Sequence, residues 1–379
     1  MPKLRTPWRA VSAVFILTGW FFGVLASRIP ALADKHDLSH GALGTMLLLP
    51  VLGAILAFPY SGKLADKLGA VRVTQTLAIG ATTSLMLLAF APNLATFGFA
   101  LFLFGGFQGG TDVTMNVWAG EVEKSMKRPV MSSFHAMFSV GTGLGAGSGF
   151  LAASLGQSVS VHFVLAALCM AAIVFPMTKV GWVSETNSAA EKAPIIAIPK
   201  GALFLVGIMT FCAAIGEGAL ADWSAIFLID LSHVTEAKAA LGYAVFSAAM
   251  VITRLLGDRI IASLGPVLTA RLAGAVATVG VFLAVMLPTY ETALVGFALM
   301  GVGYSVVFPL AFSRAASDPS MAPGAAIASV ATLGYGGALL GPPLIGFISE
   351  MSSLRMGFIV LGCLAFAISV VAFSLRRDT

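Results

Sequence analysis

Twelve apolar stretches, each close to twenty residues long, run from Trp8 to Ser374, and most connectors between them are shorter than ten residues. A bilayer core about 30 Å thick is crossed by roughly 20 apolar residues in a helix. Within it every backbone polar group must be satisfied internally, which leaves helices as the element of choice. The pattern therefore predicts an all-α membrane protein with twelve transmembrane helices. The first six spans are expected at Trp8–Pro30, Gly41–Ser61, Val73–Ala91, Leu94–Ala119, Val130–Ala153 and Ser158–Thr178. The second six are expected at Lys200–Ile226, Ala239–Leu256, Val267–Leu287, Thr292–Phe312, Gly324–Ser349 and Leu354–Ser374.

Composition excludes a water-soluble globule. Of 379 residues, 58% are apolar and only 10% are charged, against roughly a quarter charged in soluble domains. The 41 glycines fall largely inside apolar runs, where small residues let helix backbones approach closely. Cys169, Cys212 and Cys363 lie in apolar segments without paired spacing and read as small buried hydrophobes. The first 33 residues resemble a signal peptide, but the apolar run from Ala10 to Ser27 is long for one and Arg28-Ile29-Pro30 interrupts it. A retained first helix is expected.

The longest connector, residues 179–199, divides the chain near its middle. It reads as a cytoplasmic linker between an N-terminal six-helix bundle (1–178) and a C-terminal one (200–379). Eighteen of the 22 Lys and Arg, among them Lys3, Arg5, Lys192, Arg254, Arg314 and Arg377, fall at the termini or in the segments on their side of the membrane. Only Lys35, Lys238 and Arg355 fall opposite, with Arg28 at the membrane edge. Cytoplasmic loops retain Lys and Arg, so both termini are expected in the cytoplasm. The net charge of +5 thereby needs no nucleic-acid partner.

The halves also echo each other. Leu64-Ala65-Asp66-Lys67 follows the second span and Leu256-Gly257-Asp258-Arg259 the eighth, with the aspartates 192 residues apart. Gly141 and Gly143 of the fifth span recur 193 residues later as Gly334 and Gly336 of the eleventh. Parallel repeats of this kind place a substrate at their interface near mid-membrane.

The run Gly62-Lys63-Leu64-Ala65-Asp66-Lys67-Leu68-Gly69-Ala70-Val71-Arg72 closely resembles the helix 2–3 loop signature of the major facilitator superfamily. The signature's basic pair is thinned here to Ala70-Val71 before Arg72. The resemblance implies two pseudo-symmetric six-helix bundles, with spans 1, 4, 7 and 10 lining a central cavity. It also implies a cytoplasmic latch built from Gly62, Asp66, Lys67, Gly69 and Arg72, with Asp258 and Arg259 in the second copy. Physically, Asp66 can meet a helix amino terminus or a cation, and Lys67 and Arg72 can meet carboxylates or lipid phosphates.

Ionisable groups inside membrane helices are costly and mark function by default. Arg28 ends the first span, Asp112 lies in the fourth, and Glu217 and Asp222 lie in the seventh; Tyr304 and Ser305 occupy the tenth. Gln108, Asp112 and Asn116 are spaced i, i+4, i+8 and share a helix face. Gly105 and Gly109 beside them allow a ligand or a neighbouring backbone to come close. This stripe suits hydroxyl-rich solutes, or forms a hydrogen-bonded seam between helices. Glu217 and Asp222 stand about 140° apart on their helix, so one faces the cavity squarely, and Glu217 is the deeper. Arg28 either snorkels outward or pairs with Glu217 or Asp222, which would couple protonation of that acid to opening. His135 is a proton-relay candidate with Asp112 or an interfacial histidine. Trp223 stacks on a sugar face or belongs to the aromatic belt.

Taken together, the residues and the resemblance lead to an expected secondary active transporter in a bacterial inner membrane, working as a monomer. It would move a small polar solute in symport with protons, in the manner of the sugar and fucose permease-like branch. The alternative is a drug or metabolite antiporter of the same fold. Against it, the fifth span lacks the Gly-Pro usual in that group, although Gly341-Pro342 occurs in the eleventh. A receptor or scaffold would not need buried acids on cavity helices. No nucleophile–base arrangement, metal-ligand spacing or phosphate loop points to an enzyme, a metal or a cofactor.

Overall fold

The computed structural model describes residues 6–187, 198–239 and 241–376. Lys3, Arg5, Lys192 and Arg377, with the rest of linker residues 188–197, lie outside the described residues. Helix is the only regular secondary structure among them. The first half holds α1 (Pro7–Ser27), α2 (His40–Leu68), α3 (Ala70–Phe90), α4 (Leu94–Met126), α5 (Met131–Ser154) and α6 (Val159–Thr178). The second holds α7 (Ala202–Ser232), α8 (Leu241–Leu264), α9 (Pro266–Met286), α10 (Tyr290–Tyr304, resuming as Val307–Ala316), α11 (Pro323–Met351) and α12 (Leu354–Val371). Among the described residues, eleven helical stretches are long and apolar enough to cross a membrane. The remaining one, α8, has 24 residues and carries Arg254, Asp258 and Arg259 in its second half. The fold is therefore that of a twelve-helix membrane protein built as two six-helix bundles.

Helix starts follow capping chemistry. Thr6 accepts from the Arg9 amide, Ser158 from Val161, Ser353 from Met356, and Asn93 forms a reciprocal box with Thr96. Four helix ends run well past expectation: α4 reaches Met126 rather than Ala119, α7 reaches Ser232 rather than Ile226, and two more carry the duplicated motif. α2 continues to Leu68 rather than stopping at Ser61, and α8 continues to Leu264 rather than Leu256. The Asp66 and Asp258 motifs, expected in loops, are thus helical. Apolarity falls where a chain leaves lipid, but Lys63, Leu64, Ala65, Lys67 and Leu68 remain good helix formers. α2 and α8 end only where glycine permits a positive φ, at Gly69 (φ 90°) and Gly265 (φ 75°).

The chain divides into two compact units. The first comprises residues 1–127, 134–197 and 319–328; the second comprises 128–133, 198–318 and 329–379. Each unit thus includes the opening residues of one helix, α11 or α5, whose remainder belongs to the other. Within the first unit α1 and α5 interlock through glycine. Gly141 and Gly145 lie against the carbonyls of Ile16 and Trp20, while Gly19 and Gly23 lie against those of Phe138 and Thr142. Gly143 and Gly147 face open space instead. Gly105 and Gly109 of α4 are filled by Pro50 and Ala54 of α2, so the clearance there admits a neighbouring backbone rather than a ligand. In the second unit Gly337 and Gly341 of α11 pack on Phe211 and Ile215 of α7.

Candidate functional site

In the second unit, α7, α8 and α10 bring together Glu217, Arg254, Tyr304 and Ser305. An Nη of Arg254 stands 3.8 Å from Glu217 Oε2, with the arginine side chain 9% and the glutamate side chain 26% exposed. Arg254 Nε donates to the Ser305 carbonyl at 3.2 Å. That carbonyl is available for a local reason. In an unbroken helix its donor would be the amide of residue 309, and Pro309 has none. The helix accordingly breaks at Ser305–Val306, and the arginine takes the freed acceptor. Irregular backbone at membrane depth is tolerated only where another group satisfies it. Tyr304 is fully buried, its ring against Gly216, and among the described residues neither its hydroxyl nor Glu217 Oε1 has a hydrogen-bond partner. A carboxylate, a cation and a phenol therefore converge at a helix break, with hydrogen-bonding capacity unspent.

Asp222 is exposed on α7. Trp223 is half-buried, packs its ring on Gly346 of α11, and leaves its indole N–H without an acceptor.

In the first unit, Gln108 Nε2 donates to the Thr18 carbonyl of α1 at 2.9 Å. Asn116 Nδ2 turns back along its own helix to the Asp112 carbonyl at 2.8 Å and to Asp112 Oδ1 at 3.3 Å. Part of the polar stripe thus stitches α4 to α1, and part is internal to α4. Two acceptors remain without partners, Gln108 Oε1 and Asn116 Oδ1. His135 is buried, edge-on to Phe15 with 5.3 Å between ring centres. Arg28 is buried at the end of α1, where one Nη donates to the Gln157 carbonyl at 2.8 Å.

The duplicated motif has a shared geometry. In the first unit the Asp66 carboxylate accepts from the amides of Gly324 (2.7 Å) and Ala325 (3.0 Å), capping the start of α11. Gly62 sits so close to the Gly324 carbonyl that no Cβ would fit. In the second unit Asp258 accepts from the amides of Ser132 (3.0 Å) and Ser133 (3.2 Å) and from the Ser133 hydroxyl, capping the start of α5. Both are carboxylates at helix amino termini, where orphan N–H groups and the helix dipole favour negative charge. The side chains of Lys67, Arg72 and Arg259 are exposed.

The sequence profile of the Major Facilitator Superfamily matches residues 11–323. The chain belongs to that superfamily. Among its bacterial relatives, an uncharacterised transporter of Sinorhizobium fredii is 44% identical over 377 residues and is covered completely, as is this chain. An uncharacterised transporter of the superfamily from Yersinia pestis is 33% identical, over 96% of this chain and 94% of its own length. The membrane protein MosC of Rhizobium meliloti is 29% identical, over 100% of this chain and 91% of its own. Among solved structures, the transporter FucP in an outward conformation covers 99% of this chain and all of its own, at TM-score 0.78 and 14% identity. The human organic anion transporter MFSD10 does so at TM-score 0.79 and 17% identity. As a member of the superfamily, the protein is a multi-pass membrane transporter of a small-molecule substrate, and its relatives are transporters rather than enzymes.

Two elements of this superfamily member escaped the sequence reading. Arg254 was counted among cytoplasmic loop cations, yet it is buried in the middle of α8. The helix break at Ser305 was not expected either, although Pro309 four residues on was its visible signal.

Proposed function

We propose that this transporter moves a small polar, hydroxyl-bearing solute across the bacterial inner membrane by alternating access, in symport with protons. In this reading one chain is the working unit and both termini are cytoplasmic. The observation that carries it is the Glu217–Arg254 pair beside the break in α10. An acid within a membrane helix stays charged only while a cation holds it; protonation removes that attraction and frees Arg254 from Glu217. Glu217 is then the coupling acid, with Asp112 and His135 as relay groups and Asp222 peripheral. The candidate solute-binding residues are Gln108, Asp112, Asn116 and Arg28 in the first unit and Tyr304 and Trp223 in the second; Gln108 Oε1, Asn116 Oδ1, the Tyr304 hydroxyl and the Trp223 indole N–H, without partners among the described residues, suit hydroxyls. Asp66 and Asp258, with Gly62, Lys67, Gly69, Arg72 and Arg259 around them, act as the latch. The bilayer and protons are the other partners.

The test is purified protein in proteoliposomes holding a pH-sensitive dye, offered sugars, sugar acids, amino acids and drugs on the outside. Symport acidifies the lumen with the correct solute. Antiport, the alternative of an efflux transporter, makes the lumen more alkaline under the same addition. Solute uptake without any proton flux overturns the coupling.

A further inference from the structure

Residues 181–187, which follow α6, lie across the ends of three helices in the first unit. Trp182 Nε1 donates to Glu121 Oε2 of α4 at 2.7 Å. The Ser184 hydroxyl accepts the Val71 amide at 3.1 Å. The Asn187 amide donates to the main-chain carbonyl of Asp66 at 2.8 Å. Lys124 pairs with Glu185 at 3.1 Å, but both side chains are about 70% exposed (73% and 69%), so that pair contributes little.

We propose that this segment is a positioning strap for Asp66, with Trp182, Ser184 and Asn187 as positioning residues; the proposal rests on the latch reading above. The turn it spans cannot hold itself. α3 begins at Gly69, which has no side chain to cap its own helix. Ser184 supplies that cap from 113 residues away. α2 ends just before, and the carbonyls of its last turn lack intrahelical donors. Asn187 serves one of them, and it belongs to Asp66 itself. The main chain of Asp66 is thereby fixed on one side by the strap while its carboxylate caps α11 on the other. The partly buried Glu121 anchors the strap, because losing its indole donor would leave a carboxylate short of a partner.

The experiment is hydrogen–deuterium exchange on the full chain in lipid nanodiscs, read at the opening turn of α11 (residues 323–328). Asp66→Asn removes the negative charge and one of the two accepting oxygens, and is expected to speed exchange there about fivefold, the effect of one lost cap. Trp182→Phe keeps an aromatic ring but loses the indole N–H; Asn187→Pro removes the amide donor, with Asn187→Ala as the control that removes the side chain and keeps the amide. Trp182→Phe and Asn187→Pro are each expected to speed exchange at residues 323–328 by a similar factor in the native background and to add nothing in the Asp66→Asn background. Adding Glu121→Gln to Trp182→Phe is expected to restore slow exchange. A strap that is merely structural would loosen residues 181–187 and leave 323–328 unchanged, or would add to Asp66→Asn; either overturns the proposal. If Asp66→Asn alone changes nothing at α11, the latch reading fails, a result distinct from failure of the strap.

Discussion

At the scale of single residues, Glu217 and Arg254 illustrate what lipid does to charge. Neither is tolerable alone at that depth, and together they still leave Glu217 Oε1 without a partner. Glu217→Gln keeps the shape and removes the titration. The expected outcome is loss of solute-driven proton flux and of uphill accumulation, with solute counterflow down its gradient retained. Full uphill transport by this variant in proteoliposomes would remove Glu217 from the coupling. Arg254→Ala instead strands both the carboxylate and the Ser305 carbonyl. It is expected to lower stability by about 2 kcal/mol, the cost of buried polar groups left unmade. Part of that should return in the Arg254→Ala, Glu217→Gln double variant, measured as thermal midpoints in detergent. Glu217 was legible in the sequence because an acid in an apolar run has no bland reading. Arg254 was not, because the apolar pattern ends where a charge begins and so assigns the charge to the loop. Only the three-dimensional course of α8, which carries on for ten residues beyond Arg254, puts it inside the bundle.

At the scale of elements, existence was easier to read than extent. All twelve helices follow from one constraint, the length of apolar chain needed to cross a bilayer. The places where reading fell short are the ends of α2, α4, α7 and α8 and the break in α10, where helix propensity, glycine and proline outweigh apolarity. The break makes a prediction at its own scale. Pro309→Ala supplies the missing N–H to Ser305 and lets the helix close its ladder, which competes with Arg254 for the same carbonyl. Thermal stability is expected to rise and the transport rate to fall; a variant with unchanged transport would show that the break has no part in the cycle. Glycine gives a second contrast. Gly145→Leu drives a side chain into the Trp20 carbonyl and is expected to abolish folded protein, whereas Gly147→Ala meets nothing within 4 Å. Alanine there should leave the melting midpoint unchanged or raise it, since it exceeds glycine in helix propensity by at most about 1 kcal/mol. Sequence alone shows five alternating glycines in α5 and cannot say which face α1 occupies.

At the scale of the whole molecule, the duplication is not only of helices but of one capping device. Asp66 and Asp258 each close the amino terminus of a helix whose later turns group with the other compact unit. On the proposed alternating-access reading, both caps would be made in one state and broken in the other. One cap contributes about 1 kcal/mol, enough to change a two-state ratio about fivefold. The consequence is non-local. If the caps belong to one global state, Asp66→Asn must speed hydrogen exchange at the start of α5 as well as at the start of α11. Asp258→Asn must do the same in reverse, and the double variant should reach about 25-fold, because the two caps share no partner and their effects add. A purely local role confines each effect to the helix whose cap was weakened. Asp258 also accepts from the Ser133 hydroxyl on its carboxylate, whereas the additional bond at Asp66 reaches its main-chain carbonyl, from Asn187. Ser133→Ala should therefore act like a mild Asp258→Asn, raising exchange at both helix starts by a smaller factor. Exchange that rises at α5 alone in Ser133→Ala and at α11 alone in Asp66→Asn would mean the two halves carry independent caps and not a shared switch.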